Sequence, residues 1–195
     1  MTERYTVLPI QPLAAGTAVM RRSGDQGRVT MDDPATRVMT DLRRVPARTT
    51  SPDLRADDAL ASMIHAGVRL LLVVDEHDAV QGVVTARDIL GEKPVQAAKD
   101  EGIAREAVRV MHVMTPVNQI EILNLDTVEK ARVGDVLQTL KDKGRQHILV
   151  VMGGGDGEAI GGIFSATQIG RQLGVEVPAE GPAQSFAEIE RLLQA

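Results

Sequence analysis

The apolar positions of this chain fall into a pattern that predicts both strands and helices. Leu70-Leu71-Leu72-Val73-Val74 is a continuous apolar run of strand length. Such a run suits a strand buried on both faces. Ahead of it, Ala59, Leu60, Met63 and Ile64 recur at helical spacing. Asp57 is placed to cap that helix and Gly67 to stop it. The polar turn Asp75-Glu76-His77-Asp78 leads into a second strand, Val80 to Thr85, and a helix begins at Ala86 to Leu90. The predicted order is strand, helix, strand, strand, helix.

The same text then returns. Val38-Met39-Thr40 matches Val113-Met114-Thr115, and Asp58-Ala59-Leu60 matches Asp135-Val136-Leu137. Gly67 with the strand from Leu71 to Val74 matches Gly144 with Ile148 to Val151. Gly82-Val83-Val84-Thr85 matches Gly162-Ile163-Phe164-Ser165. Four matches in one order identify a duplicated supersecondary unit. The second copy carries an expanded strand–strand turn, Met152 to Gly157. The organisation is an N-terminal arm over 1–36, a first motif over 37–91, and a connection over 92–109 with short helical stretches either side of Gly102. A second motif follows over 110–174, then a linker and short helix over 175–195. That last helix opens on a capping box, Ser185 with Glu188, and has one apolar face of Phe186, Ile189, Leu192 and Leu193.

Composition narrows the class. Of 195 residues, 43% are hydrophobic but only 2% aromatic, so the core is aliphatic and base-stacking platforms are disfavoured. A net charge of −5 argues against a nucleic-acid footprint, although Arg43, Arg44 and Arg48 form a local basic cluster. There is no cysteine, which excludes disulfides, thiol catalysis and cysteine-based zinc sites. No signal peptide is evident, and no apolar stretch approaches the roughly 18 residues of a membrane span. The expectation is a cytoplasmic protein.

One segment carries candidate chemistry. In Gly82-Val83-Val84-Thr85-Ala86-Arg87-Asp88 a strand ends where a helix starts. Unpaired N–H groups and the dipole favour anions there. The Thr85 hydroxyl suits a phosphate oxygen, Arg87 adds charge, and the two Asp88 oxygens suit the adjacent hydroxyls of a ribose. An equally available reading is structural: Thr85 caps the helix and Asp88 favours its dipole. The other polar clusters suggest less. Gly153-Gly154-Gly155 lacks the P-loop lysine and lies at a hairpin. The four histidines show no ligand spacing, and no nucleophile with a supporting motif appears, so neither metal nor catalysis is expected.

The doubled unit, its Val-Met-Thr start, its Gly-then-aliphatic strand and its Gly-Val-Val-Thr-x-x-Asp ending resemble a tandem pair of cystathionine-β-synthase (CBS) domains, a Bateman module, in a stand-alone CBS-domain protein. The resemblance covers residues 38–174. It implies an α/β (α+β) fold of two pseudo-symmetric β-α-β-β-α motifs packed through their sheets. It also implies a regulatory, non-enzymatic energy-sensing module. Its ligand would be an adenosine nucleotide (AMP, ADP or ATP) or S-adenosylmethionine, with no obligatory cofactor. The module would form a disc-like homodimer and act on a protein partner in trans. In the family pattern Asp88 holds the ribose and Thr85 approaches the phosphate, while Arg69 to Leu71 and Thr49 to Thr50 line the base pocket. The second copy has Ser165 at the hydroxyl position but Gln168 in place of the aspartate, with His147 beside it. Charge-assisted bonds are about twice as strong as neutral ones, so this cleft is expected to bind ribose more weakly. The alternative is a dimeric scaffold that uses the fold without physiological nucleotide binding, its C-terminal helix docking a partner.

Overall fold

In a computed structural model of the protein, residues 29–153 and 157–174 are described. Most of the N-terminal arm, part of the glycine turn, and the C-terminal linker and helix lie outside them. After a 3-10 turn at Ala35–Arg37, the elements are β1 (Thr40–Asp41), β2 (Thr49–Thr50), α1 (Ala56–Ala66), β3 (Leu70–Val74), β4 (Val80–Thr85), α2 (Ala86–Leu90) and α3 (Lys93–Glu101). A 3-10 turn at Arg105–Ala107 leads to α4 (Val110–Val113), β5 (Thr115–Pro116), β6 (Ile122–Asn124), α5 (Leu125–Lys130) and α6 (Val133–Asp142). β7 (His147–Met152), β8 (Ala159–Ser165) and α7 (Ala166–Gln172) are the last elements of the described residues. The expected order of strand, helix, strand, strand, helix holds in both copies. The sequence reading missed α5, a short helix inserted ahead of α6.

The strands form two four-stranded sheets, β2-β3-β4-β5 and β1-β8-β7-β6. In each, one parallel pair (β2 with β3, β6 with β7) stands beside an antiparallel hairpin. The fourth strand comes from the opposite copy. Thr40-Asp41 pairs with Ile163 and Gly162 of β8, and Thr115-Pro116 pairs with Val83 and Gly82 of β4. The segments leading into these strands are exchanged too. Ala35 and Val38 are buried with Val128, Val133, Leu137 and Phe164 of the second unit. Val108, Val110 and Val113 are buried with Ala59, Met63, Val73 and Ile89 of the first. The two copies are therefore clasped, each completing the other's core.

Alternation along the buried strands explains why these runs are continuous. Leu71 and Val73 face the helices of their own unit, whereas Leu70 and Leu72 meet Leu149 between the sheets. Both strand faces are thus withdrawn from water, as the unbroken apolar text requires.

The start of α1 corrects one expectation. The cap is Arg55, not Asp57. The Ala56 N–H donates to the Val108 carbonyl at 2.9 Å, and the Asp58 carboxylate accepts two bonds from the Arg55 guanidinium at 2.7 and 2.9 Å. The exchanged segment satisfies a backbone donor that a side-chain cap would otherwise serve. The end of α1 is as expected: Gly67 takes the left-handed conformation, with φ 65°. The polar turn is held by Asp75, which accepts from the His77 and Ala79 N–H groups at 2.9 and 3.0 Å and from the Gln81 amide at 2.8 Å. These bonds lower its carboxyl pKa, the His77 N–H foremost.

Candidate ligand cleft between the two units

The beginnings of β3 and β7 organise the region between the units. In each copy the residue before the strand accepts a hydrogen bond from the first residue of the following helix: Ala86 N–H to the Arg69 carbonyl at 3.0 Å, and Ala166 N–H to the Gln146 carbonyl at 2.9 Å. Across each hairpin, Leu70 faces Thr85 and His147 faces Ser165. The two helix starts singled out in the sequence are therefore equivalent in space as well as in order.

Their side chains are not in equivalent states. At the first, Asp88 Oδ2 accepts from the Thr85 N–H at 2.9 Å and from the Thr85 hydroxyl at 2.5 Å, while Thr85 Oγ1 accepts from the Asp88 N–H at 3.2 Å. The other oxygen, Oδ1, pairs with Lys93 Nζ at 2.7 Å. Lys93 also donates to the Val113 carbonyl of the exchanged segment at 3.0 Å. This is a complete capping box locked to a salt bridge. The residue types read from the sequence as ribose and phosphate ligands are engaged with the protein itself.

At the second helix start, Ser165 makes no side-chain cap bond. A cavity of about 310 Å³ opens here between the units. Gly67, Val68, Arg69 and Leu70 line it from the first unit, and His147, Ile163, Ser165, Thr167, Gln168 and Arg171 from the second. Thr40 of the exchanged strand completes it, and its hydroxyl donates to Gln168 Oε1 at 3.1 Å. His147 is half-buried. Burial first, then the nearby Arg69 charge, push its pKa down to about 4 against a weaker opposing pull from Asp88. The imidazole is thus neutral at physiological pH, offering one donor and one acceptor.

Four residues named from sequence, Arg69, His147, Ser165 and Gln168, therefore share one cavity. Thr85 and Asp88 do not line it, nor does Arg87, which is exposed on α2. Thr50 is buried in β2 beside Val73. Leu71 points to the helices and borders a separate open groove with Arg48, Thr49, Ser62 and His65. Sequence reasoning passed over Thr40, Thr167 and Arg171. The signal for Arg171 lay in the alignment of the copies: Thr85-x-x-Asp88-x-x-Gly91 returns as Ser165-x-x-Gln168-x-x-Arg171. An acid becomes an amide, and one helical turn later a glycine becomes a cation. Among the described residues, no group of three or more His, Cys, Asp or Glu side chains could hold a metal ion. None of the described helices is long and apolar enough to cross a membrane.

Two clasped sheet–helix units with a polar cleft between them define a paired α+β module. The family model for the CBS domain matches residues 35–95, the segment that spans most of the first unit. Its fold is similar to that of a CBS-domain containing protein from Agrobacterium tumefaciens, with a TM-score of 0.52 and 19% identity over 75% of this chain and 96% of that one. An uncharacterized conserved protein from Pyrococcus horikoshii aligns with a TM-score of 0.51 and 21% identity over 72% of this chain and 92% of its own. Arabidopsis thaliana CBSX2, solved in complex with AMP, aligns with a TM-score of 0.50 and 23% identity over 71% of this chain and 94% of its own. At these identities the structures establish a common fold. No curated protein sequence matches the chain.

Proposed function

We propose that this protein is a cytoplasmic, non-catalytic regulatory module that binds an adenosine nucleotide or related adenosyl ligand between its two units. The observation that carries the reading is the cavity at Ser165, Gln168 and Arg69. Its volume of about 310 Å³ falls at the lower end of small-molecule sites. It draws polar groups from both units and from an exchanged strand. The AMP complex of the similarly folded plant protein supports the choice of ligand class. Among the described residues, the titratable side chains lining the cleft are two arginines and a neutral histidine. None of these is a carboxylate that could complete an acid–base pair, which favours binding over chemistry.

Signalling would pass through a homodimer. Helices α1 to α4 form one layer on the first unit and expose Ile64, Leu90, Val95 and Met111. A ligand would bias such an assembly by binding one geometry better than another. If the dimer forms but no adenosyl compound binds, the scaffold reading takes its place.

The test is a thermal-shift and calorimetric panel of AMP, ADP, ATP, S-adenosylmethionine and adenosine. A ligand at 100 times its dissociation constant should stabilise the fold by about 2.7 kcal/mol. Filling the cleft with Ser165→Phe should abolish the shift. Asp88→Ala should retain it while lowering stability by about 1 kcal/mol through loss of the capping box. Absence of a shift with every adenosyl compound would overturn the assignment.

A further inference from the structure

The cleft's charge selects among the ligands of that class. Arg69 enters from the first unit, just before β3, and Arg171 from the second, on α7. Neither belongs to an ion pair among the described residues. Among the described residues no Asp or Glu lines the cavity, and Gln168 stands where the first copy has Asp88. In a chain whose net charge is −5, this is a locally cationic pocket. Around it, Ser165 and Thr167 supply hydroxyl groups, while the Thr40 hydroxyl donates to Gln168 Oε1. Guanidinium groups match phosphate oxygens in geometry as well as charge.

Resting on the adenosyl reading above, we infer that this cleft takes a phosphate-bearing nucleotide and rejects a sulfonium ligand such as S-adenosylmethionine. The phosphate lies between Arg69 and Arg171 and relieves the repulsion of two like charges facing one cavity. Because the two arginines belong to different units, the bound anion ties the units together. A sulfonium would add a third positive charge with no carboxylate among the described lining residues to receive it. Gln168 offers the ribose an amide in place of a carboxylate, so affinity is concentrated on the phosphate end.

The experiment is calorimetry on the full chain at low ionic strength with ATP, ADP, AMP, adenosine, S-adenosylmethionine and inorganic pyrophosphate. Nucleotides should bind more tightly with each added phosphate, and their affinity should fall as salt is raised. Arg69→Ala and Arg171→Ala should each weaken nucleotide binding by about ten- to a hundredfold and leave adenosine unchanged. Arg171→Lys should recover part of the loss, since it keeps the charge without the planar fork. Melting temperatures of the variants show that the fold is intact. The inference is overturned if S-adenosylmethionine binds as well as AMP, or if both alanine variants bind AMP like the native protein. Arginine-dependent pyrophosphate binding without any adenosyl compound binding would sustain the anion site and refute the adenosyl reading. Failure of pyrophosphate and all nucleotides would refute both.

Discussion

His147 illustrates how a residue's neighbours decide its behaviour. Its place before Ile148-Leu149 was visible in the sequence, but its protonation was not. Burial at the cleft and the charge of Arg69 hold its pKa near 4. The folded state therefore takes up a proton at lower pH than the unfolded chain, whose histidine titrates near 6.5. Stability from this group is complete above that range and is lost as pH falls toward 4. The expected loss is about 2 to 3 kcal/mol between pH 7 and pH 4, and His147→Gln should flatten that part of the profile in urea denaturation. An unchanged slope would mean that the imidazole is solvated. Asp41 acts in a lower window. The Arg43 side chain, then its N–H, holds its carboxyl at about 2, so its contribution is present above the ordinary carboxylate range and fades below it. Thr85 and Asp88 carry the opposite lesson. Their types suit anions and hydroxyls, but a helix cap uses the same atoms. Only the positions of Lys93 and the Thr85 hydroxyl decide which use occurs here.

At the scale of elements, the informative feature is the exchanged strand. Gly82 and Gly162 occupy equivalent positions, and each is where the other copy's strand crosses: Gly82 opposite Pro116, and Gly162 opposite Asp41. A Cβ on Gly82 would lie 2.5 Å from the Thr115 carbonyl oxygen, whereas one on Gly162 would lie 2.5 Å from Met39 Sδ. Backbone cannot step aside, but a methionine side chain can repack. Gly82→Ala is therefore expected to cost about 1 to 3 kcal/mol by overpacking, and Gly162→Ala distinctly less. Chemical denaturation of both variants measures the difference, and equal losses would show that Met39 is as rigid as the backbone. The repeat in the sequence marked these glycines as paired. It did not say why, since the obstacle comes from a strand some thirty residues away in one copy and over a hundred in the other.

At the scale of the molecule, the two units have the same topology but unequal surfaces. Ile64 is 72% exposed and Leu90 71%, and Val95 and Met111 lie on the same helical layer of the first unit. Among the described residues, the helices of the second unit expose no large apolar side chain of this kind. Contiguous exposed apolar surface marks an interaction site. A self-complementary contact about a two-fold axis would cover it. Ile64→Glu with Leu90→Glu should convert a native dimer to a monomer in light scattering while retaining the cleft's ligand affinity per chain. A native protein that is already monomeric would remove the dimer from the mechanism.

Much of the architecture follows from the sequence alone. The unbroken aliphatic runs required strands buried on both sides, the helical spacing and Gly67 bounded α1, and the duplication set two equivalent helix starts. These properties are local, or repeat locally, so periodicity and turn chemistry express them. The partner of each Val-Met-Thr strand, the true cap of α1 and the identity of the open cleft came only from the tertiary structure. Each depends on residues far apart in the chain being brought together. Thr115 reaches Gly82, Val108 reaches Ala56, and Lys93 reaches Val113, while Arg69 and Arg171 face a common cavity. Pairing between such segments is fixed by how the two units close on one another, and short-range pattern carries no record of that closure.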